Sequence, residues 1–292
     1  MPSPKLIGRP AAGARLQPRS PQDSGLRTQD YDSTQDYEGF VCAVRDRAGI
    51  DLAGYRVEQM ERRLRGFLKQ AKVERFADYL ELLDRDPEQL RRFRGSLSIT
   101  VSEFFRSPDR FAELRDSILP RLLSARPTLR VWSAGCSYGA EAYSLALLLA
   151  DLAPDQDHYL LATDVDETVL TRARAGRFSE RDLQHVPAAM RQRCFSPSGS
   201  AIDEVRAKIT FKRHDLLTEE YESNFDLIVC RNVMMYFSTA AKGRIAGLLY
   251  HALRAGGYLF TGSTEAMAQL PVAGFARESV GFYRREESHA RS

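Results

Sequence analysis

Hydrophobic positions recur with a helical period through the first half of the chain. Apolar residues from Val57 to Ala71 fall at i, i+3, i+4 and i+7 spacing, which predicts one amphipathic helix. Further helices are predicted near 76–83, from 88 to about 98 and from Pro108, with Ser107 at the N-cap of the last. Because no strand pattern interrupts these segments, residues 31–126 are expected to form a small all-α domain.

The period changes after Arg126-Pro127, where short apolar runs begin to alternate with helical segments. Predicted strands are 129–133, 159–163, 209–211, 225–230, 258–261 and 282–283, and predicted helices are 140–152, 167–175 and 239–253. Gly256-Gly257 is expected to close the last helix. This alternation predicts a mostly parallel, doubly wound α/β sheet over residues 127–292.

Composition is typical of a soluble globular protein with about two domains, since 292 residues include 43% hydrophobic and 28% charged positions. A net charge of +3 is too small to favour a nucleic-acid binder. Five of the 13 prolines lie at or before Pro21, so residues 1–30 are expected to be a disordered tail rather than a transit peptide.

The four cysteines form no C-x-x-C pair, so neither a zinc site nor a redox motif is expected, and no metal is predicted. Free thiols are typical of the reducing cytosol. The longest aliphatic run, 145–150, is far shorter than the roughly 18 residues of a membrane span. No signal-peptide pattern is present. A cytoplasmic protein without membrane insertion is therefore expected.

The first predicted strand is followed by a glycine-containing loop from Ser133 to Glu141. Such a loop can be only a tight turn, or it can let the backbone pass close to a ligand. It departs from the G-x-G-x-x-G pattern that binds a pyrophosphate at a helix N-terminus. The carboxylate of Glu141 would repel a phosphate, so a cationic ligand suits this loop better.

The second predicted strand ends at Asp164, with Asp166 two residues later. An acidic residue at this distance from a glycine loop commonly accepts hydrogen bonds from ribose hydroxyls. We assign that role to Asp164 and the cap of the next helix to Asp166. A nucleoside ligand without a diphosphate is favoured, and S-adenosylmethionine (SAM) fits because it combines adenine, ribose and a sulfonium cation.

Two further segments lie in the helical half. In the run 100–106, two aromatic residues beside hydroxyls and Arg106 could be a helix end packed on the next domain, or Arg106 could pair with a ligand carboxylate.

On the basic helix 56–72, four cations share one face, which is either a solvated surface or a docking surface for an acidic helix. These cations are Arg62, Arg65, Lys69 and Lys72.

A polar segment, 230–237, directly follows the buried strand 225–229. An amide and a phenol pack poorly at the end of a buried strand. Polar groups at the carboxyl end of a strand in an open α/β sheet usually face a ligand. Asn232 and Tyr236 are therefore expected at the functional site.

Four phrases of the sequence together resemble the CheR family of chemotaxis-receptor glutamate O-methyltransferases. They are ITVSEFFRS (99–107), VWSAGCSYGAEAYSLA (131–146), ATDVD (162–166) and CRNVMMYF (230–237). The resemblance covers roughly residues 37–285. It implies a class I SAM-dependent methyltransferase with a Rossmann-like sheet, a small N-terminal helical domain and a small inserted β-subdomain at about 194–211.

The resemblance also implies a function and positions for the cofactor. The family transfers a methyl group from SAM to glutamate side chains on the cytoplasmic helices of chemoreceptors, and a monomer is expected. Contacts to the methionine portion are implied for Thr100, Ser102 and Arg106, with Gly135 and Glu141 in the glycine loop. Asp164 would bind the ribose and Asp215-Leu216 would flank the adenine. Asn232 and Val233 would line the cavity, and Tyr236 would lie near the transferred methyl, so that Tyr236 and Arg106 are the catalytic candidates. With these roles assigned, Cys230 and Arg231 are interpreted as structural.

The glycine loop departs from the family phrase at Tyr138, Ala140 and Ala142. The region 195–211 also lacks the Gly-rich segment of members that bind a receptor's C-terminal pentapeptide, so independence from that pentapeptide is expected. The main alternative is a non-catalytic module that binds SAM or S-adenosylhomocysteine (SAH) as a sensor or scaffold. A methyltransferase acting on a small carboxylic acid or a nucleic acid is less favoured.

Overall fold

The computed structural model describes residues 25–48, 50–97, 102–262 and 274–286. Four helices, α1 (Gly25–Ala48), α2 (Val57–Ala71), α3 (Phe76–Arg85) and α4 (Pro87–Leu97), form the N-terminal part. The predicted apolar stripe of α2 is buried through Met60, Leu64 and Leu68. It packs into one core whose aromatic members are Tyr37, Phe40, Phe76, Tyr79 and Phe93.

Helix α1 begins earlier than the sequence pattern indicated. It starts at Gly25, so the predicted tail of residues 1–30 overlaps the first turn and a half of this helix. Its polar composition hides the helix from a search for hydrophobic periodicity. Residues 1–24 lie outside the described part of the chain, so the prediction of disorder is not tested there.

A helical connection leads from the first domain to the sheet. It consists of α5 (Pro108–Glu113), a π-helical turn (Leu114–Ile118) and α6 (Leu119–Ala125). Ser107 occupies the N-cap position of α5 with φ 63°, but its side chain makes no capping hydrogen bond. Its hydroxyl instead accepts a hydrogen bond from Arg231 at 3.0 Å. The predicted N-cap position of Ser107 is therefore confirmed, but its side chain makes a tertiary contact instead of a capping hydrogen bond.

The second part is a seven-stranded sheet with the order β3-β2-β1-β4-β5-β7-β6. Its strands are β1 (Arg130–Ala134), β2 (Tyr159–Asp164), β3 (Ile209–Arg213), β4 (Phe225–Cys230), β5 (Leu253–Thr261), β6 (Phe275–Ser279) and β7 (Phe282–Arg285). Neighbours among β1 to β5 pair in parallel, and β7 pairs antiparallel with both β5 and β6. The predicted doubly wound α/β fold is confirmed.

Helices cover both faces of this sheet. They are α7 (Ala140–Leu152), α8 (Glu167–Ala175), α9 (Ala188–Cys194), α10 (Asp203–Ala207) and α11 (Thr239–Ala252). On one face, α7 and α8 share a core with the aromatic residues of the connection; on the other, α11 packs on β4 and β5. With both faces covered, the polar ends of the central strands are where the sheet meets solvent or ligand.

Strand β5 differs from its prediction. It starts at Leu253, directly after α11, and includes Gly256-Gly257, which were expected to close the helix. The early part of β5 pairs with β4 through a register shift between Phe225 and Leu227. Pairing with a strand distant in sequence therefore makes these residues part of β5, whereas their glycine content predicted the end of a helix.

The predicted small β-subdomain at about 194–211 is corrected by the structure. Between α8 and β3, the chain forms a 3₁₀ turn (Asp182–His185) and the short helices α9 and α10. All residues of this insert are described, and the β-pairing among them is limited to the single bridges Arg177↔Ser200 and Phe195↔Ala201. Ile209–Arg213 belongs to the main sheet because it pairs with β2.

Two other features of the described residues concern membrane-spanning helices and the cysteines. No described helix is both long and apolar enough to cross a membrane. The four cysteines are free: Cys42 is exposed, whereas Cys136, Cys194 and Cys230 are buried. Burial raises the pKa of the Cys136 thiol well above its ordinary value, so this group is an uncharged part of the core.

Candidate active site

A cavity opens at the carboxyl ends of β1, β2 and β4. The strand order reverses between β1 and β4, and open α/β sheets bind ligands at this switch point. Predicted site residues line the cavity, namely Ser102, Arg106, Gly135, Glu141, Asp164, Asp215, Leu216, Asn232, Val233 and Tyr236. Thr100 lies outside the described residues.

The glycine loop turns sharply over the end of β2. Gly135 has φ 83°, and a Cβ atom there would lie 2.4 Å from Val233 Cγ2, so only glycine fits. The backbone amides of Gly135 and Cys136 both donate to the carbonyl of Thr163 at 2.8 Å. These contacts bring the loop against β2 and leave its outer side facing the cavity.

Glu141 lies in the first turn of α7 and is nearly buried. Its Oε1 accepts a hydrogen bond from Ser133 Oγ at 2.8 Å. Its Oε2 lies 3.5 Å from Arg231 Nη1. The neighbouring departures from the family phrase, Ala140 and Ala142, are fully buried and do not line the cavity.

Arg231 joins the strand end to the connection between domains. Its side chain is 3% exposed. Nη2 donates to the carbonyl of Arg106 at 2.8 Å and to Ser107 Oγ at 3.0 Å. The guanidinium carbon lies 4.6 Å from the ring centroid of Phe260. This fits the structural interpretation of Arg231, which nevertheless also lines the cavity.

The segment before α5 is held by buried aromatic residues and backbone contacts. Phe104 is fully buried and meets the ring of Phe178 edge-on at 4.8 Å. The Phe105 amide donates to Ser144 Oγ at 3.0 Å. The Tyr138 hydroxyl donates to the carbonyl of Ser102, and burial with the nearby Asp182 raises its pKa to about 12. The aromatic residues of this segment therefore pack in the core, while Ser102 and Arg106 line the cavity.

The two aspartates after β2 have different surroundings. Asp164 accepts from the Ser137 amide at 2.9 Å and from the Asp166 amide at 3.1 Å, and its side chain lines the cavity. Asp166 accepts from the Thr168 amide at 2.8 Å and caps α8. The capping prediction for Asp166 agrees with these contacts.

The turn after β3 places Asp215 and Leu216 at the cavity wall. The His214 amide donates to the carbonyl of Asp164 at 3.0 Å, which ties this turn to β2. Asp215 accepts from the Leu217 amide at 2.8 Å, so the carboxylate is oriented by its own turn. The carbonyl of Leu216 accepts from the Tyr221 hydroxyl at 2.7 Å.

The segment after β4 carries Asn232 in the left-handed region, with φ 59°. Asparagine adopts this conformation more readily than most residues, which lets the chain turn along the cavity instead of extending β4. Tyr236 ends a 3₁₀ turn, Met234–Tyr236. It lines both the cavity and an adjoining open groove on the α2 side.

This open groove includes only part of the predicted docking surface on the basic helix α2. Besides Tyr236 and Tyr55, its walls are Arg56, Gln59, Met60, Arg62 and Arg63. Of the four predicted docking cations, only Arg62 lines it. Arg65 instead pairs with Glu61 at 2.6 Å and lies over the Phe76 ring. Lys69 is exposed elsewhere on α2, and Lys72 is exposed directly after the end of this helix.

The sequence patterns missed several residues of the cavity wall. They are Tyr55, Glu103, Ser137, Val165, His214 and Phe237. Tyr55 comes from the helical domain, in the turn before α2, where no motif marks it. The positive φ of Ser137, 52°, could not be read from its residue type.

The chemistry of the cavity fits SAM. Glu141 is a carboxylate suited to an amino group or a sulfonium, and Asp164 is an acceptor suited to ribose hydroxyls. Arg106 is a guanidinium suited to the α-carboxylate. A diphosphate fits poorly, because Glu141 and Asp164 both carry negative charge.

Comparisons with known proteins agree with this chemistry. The family model described as CheR methyltransferase, SAM binding domain, matches residues 100–276. The model described as CheR methyltransferase, all-alpha domain, matches residues 35–98.

Similar proteins include a chemotaxis protein methyltransferase of Listeria monocytogenes, 38% identical over 86% of this chain and 98% of that protein. Chemotaxis protein methyltransferase 2 of Pseudomonas aeruginosa is 32% identical over 76% of this chain and 84% of its own length. A solved structure, the SAM-bound aminopentose methyltransferase CalS10 of Micromonospora echinaspora, is a distant likeness at 17% identity and TM-score 0.33, covering 59% of this chain and 58% of that one. The two family models and the first relative carry the assignment: this chain belongs to the CheR methyltransferase family and is a SAM-dependent methyltransferase.

Proposed function

We propose that the protein transfers the methyl group of SAM to glutamate side chains on the cytoplasmic helices of a chemoreceptor. The products would be glutamate 5-O-methyl esters and SAH. One observation carries the proposal: Tyr236 lies in the wall shared by the cofactor cavity and a groove lined by arginines. An acidic side chain entering this groove would reach the cavity beside Tyr236.

The chemistry requires positioning rather than proton transfer. A glutamate carboxylate is already ionised at pH 7, so no general base is needed. Bound SAM supplies an electrophilic methyl on a sulfonium leaving group. The protein must align the carboxylate oxygen, the methyl carbon and the sulfur, and alignment of this kind can remove roughly 7–11 kcal/mol of barrier. Tyr236 would donate its hydroxyl hydrogen bond to the incoming carboxylate and hold it in line.

We assign the cofactor contacts by the chemistry of the cavity wall. Arg106, with Ser102 and Thr100, would hold the methionine carboxylate, and Glu141 would face the amino group. Asp164 would accept from the ribose hydroxyls. The adenine would lie against Asp215 and Leu216, and Gly135, Asn232 and Val233 would complete the wall.

The open groove suggests a revised docking surface on α2. Arg56, Arg62 and Arg63 line it next to Tyr236. Arg63 is half-buried, and its pKa is lowered mainly by burial, while the tyrosines Tyr236 and Tyr55 oppose that shift. A half-buried cation beside the reaction site favours an anionic substrate. Arg65, Lys69 and Lys72 would then contribute only long-range attraction.

We also propose that the protein acts as a cytoplasmic monomer independent of a receptor's C-terminal pentapeptide. Extended peptides commonly bind by adding a strand to an exposed sheet edge. The insert between α8 and β3 supports independence from the pentapeptide, because it contains helices and single bridges rather than a sheet. Grafting a pentapeptide tail onto a receptor substrate should leave its methylation rate unchanged, and a clear rise would contradict the proposal.

The test of function is incubation with methyl-labelled SAM and soluble receptor cytoplasmic fragments. Glutamyl methyl esters release labelled methanol in base, and mass mapping would locate the label on glutamates. Binding of SAM without any transfer would favour a sensor or scaffold. Base-stable label, or label transferred only to free small acids, would reject the proposed substrate.

A further inference from the structure

Tyr55 brings a phenol from the helical domain into the cavity of the methyltransferase domain. It lies in the turn between α1 and α2 and lines the cofactor cavity together with Asp164 and Asp215. It also lines the open groove. Tyr55 and Tyr236 thus line both the cofactor cavity and the open groove, although they are far apart in the sequence.

Backbone contacts fix the position of this turn. The Arg56 amide donates to the carbonyl of Tyr236 at 3.0 Å, and the Ser238 amide donates to the carbonyl of Gly54 at 2.8 Å. Tyr55 and Phe237 form an antiparallel bridge, and their ring centroids lie 5.2 Å apart. The phenol is therefore held in place from both sides and does not depend on a flexible loop.

The surroundings of Tyr55 suit a neutral hydrogen-bond donor. Burial, followed by the carboxylates of Asp215 and Asp164, raises its pKa well above the ordinary value. The hydroxyl consequently stays protonated at physiological pH. Within the described part of the chain, no residue accepts a hydrogen bond from it. An inward-facing donor of this kind is stabilised by a ligand acceptor, and adenosine offers ring nitrogens and ribose oxygens.

We propose that the Tyr55 hydroxyl donates a hydrogen bond to the adenosine portion of bound SAM. The inference rests on the assignment of the cavity to SAM. A bound cofactor would also affect the docking surface, because Tyr55 lies just before α2, whose Arg62 and Arg63 line the groove. Cofactor binding would hold the turn 51–56 and thereby the start of α2, which links the two sites.

The experiment is calorimetric titration of the full chain with SAH and with 5′-methylthioadenosine, which lacks the amino-acid portion. Tyr55→Phe keeps the ring against Phe237 and removes only the hydroxyl. We expect about fivefold weaker binding of both ligands, which corresponds to a net hydrogen bond of about 1 kcal/mol. The control is Tyr37→Phe, since Tyr37 packs on Phe76 in the core of the helical domain and does not line the cavity. Its affinity should equal that of the unmodified protein.

A second measurement, hydrogen exchange of the peptide covering 51–60, tests the link between the sites. Saturating SAH should slow exchange there in the unmodified protein, and Tyr55→Phe should remove most of this protection. A hydroxyl with a merely structural role would leave the ligand-dependent protection intact.

The outcomes separate this inference from the cofactor assignment. Equal affinities of Tyr55→Phe and the unmodified protein for both ligands would reject the hydrogen bond while leaving the cavity assignment in place. A loss for SAH but not for 5′-methylthioadenosine would move the contact to the methionine portion and overturn the adenosine assignment. Failure of the unmodified protein to bind SAH would reject the assignment of the cavity itself.

Discussion

Arg231 Nη1 lies 3.5 Å from Glu141 Oε2, and both side chains are nearly removed from solvent. The same guanidinium donates to the carbonyl of Arg106 and to Ser107 Oγ. One buried cation thus connects the end of β4, the start of α7 and the segment between the domains. The second oxygen of Glu141 is held by Ser133. This arrangement orients the carboxylate at the cavity wall before any ligand binds.

Loss of Arg231 should destabilise the fold. Arg231→Met keeps the length of the side chain but removes the cation beside the buried carboxylate of Glu141, which we expect to lower the free energy of unfolding by about 3 kcal/mol. Urea denaturation should show a lower midpoint with an unchanged slope. The matched control is Arg193→Met, because Arg193 pairs with Asp151 at 2.7 Å with 59% of its side chain exposed. That variant should lose less than about 1 kcal/mol, and equal losses would contradict a special role of the buried pair.

Removal of the Glu141 charge should weaken the cofactor's amino-acid contact. Glu141→Gln preserves shape and can still accept from Ser133 Oγ, but it cannot pair with an ammonium group. Charge-assisted hydrogen bonds suggest about 10- to 100-fold weaker binding of SAH. Titration with 5′-methylthioadenosine should show little change, because that ligand has no amino group on its side chain. An equal loss for both ligands would place Glu141 elsewhere in the site.

Tyr236→Phe should affect turnover more than cofactor binding. The hydroxyl is proposed to orient the incoming carboxylate, so kcat should fall by about tenfold, the order expected for one lost hydrogen bond in the transition state. SAH affinity should remain close to that of the unmodified protein. Methanol release from a receptor fragment measures turnover, and Tyr250→Phe, outside both cavities, is the control. Unchanged kcat would remove Tyr236 from the mechanism.

Two charge reversals on α2 distinguish the groove from the rest of the helix surface. Arg62 and Lys69 are both exposed, but only Arg62 lines the groove. Arg62→Glu should raise the KM for a receptor fragment by about tenfold at low salt, whereas Lys69→Glu should change it by less than about threefold. The Arg62 effect should shrink with added salt, because exposed charges are screened over about 10 Å at 0.1 M. Equal effects of the two reversals would favour the broader face that includes Arg65 and Lys72.

Much of the fold and of the candidate site could be predicted from the sequence because the signals are local. The apolar stripe of α2 and the alternation of strands and helices from β1 to α11 follow from periodicity within single elements. The polar groups at the ends of β1, β2 and β4 converge because parallel strands end at the same edge of a sheet. Asp164 and Asn232 were found in this way, and Glu141 was found from the glycine loop that follows β1.

The remaining features depend on residues distant in sequence. The start of β5 is decided by its pairing with β4, and the side chain of Ser107 is taken by Arg231 instead of its own helix. Arg62 lines the groove and Lys69 does not, and Tyr55 enters the cofactor cavity. Both features arise where the two domains meet. The sequence by itself therefore determined most of the elements, the family and most of the cavity wall, because these follow from local periodicity and contiguous motifs. Only the tertiary structure decided which side chains from separate elements share one space, because contacts between domains leave no local pattern.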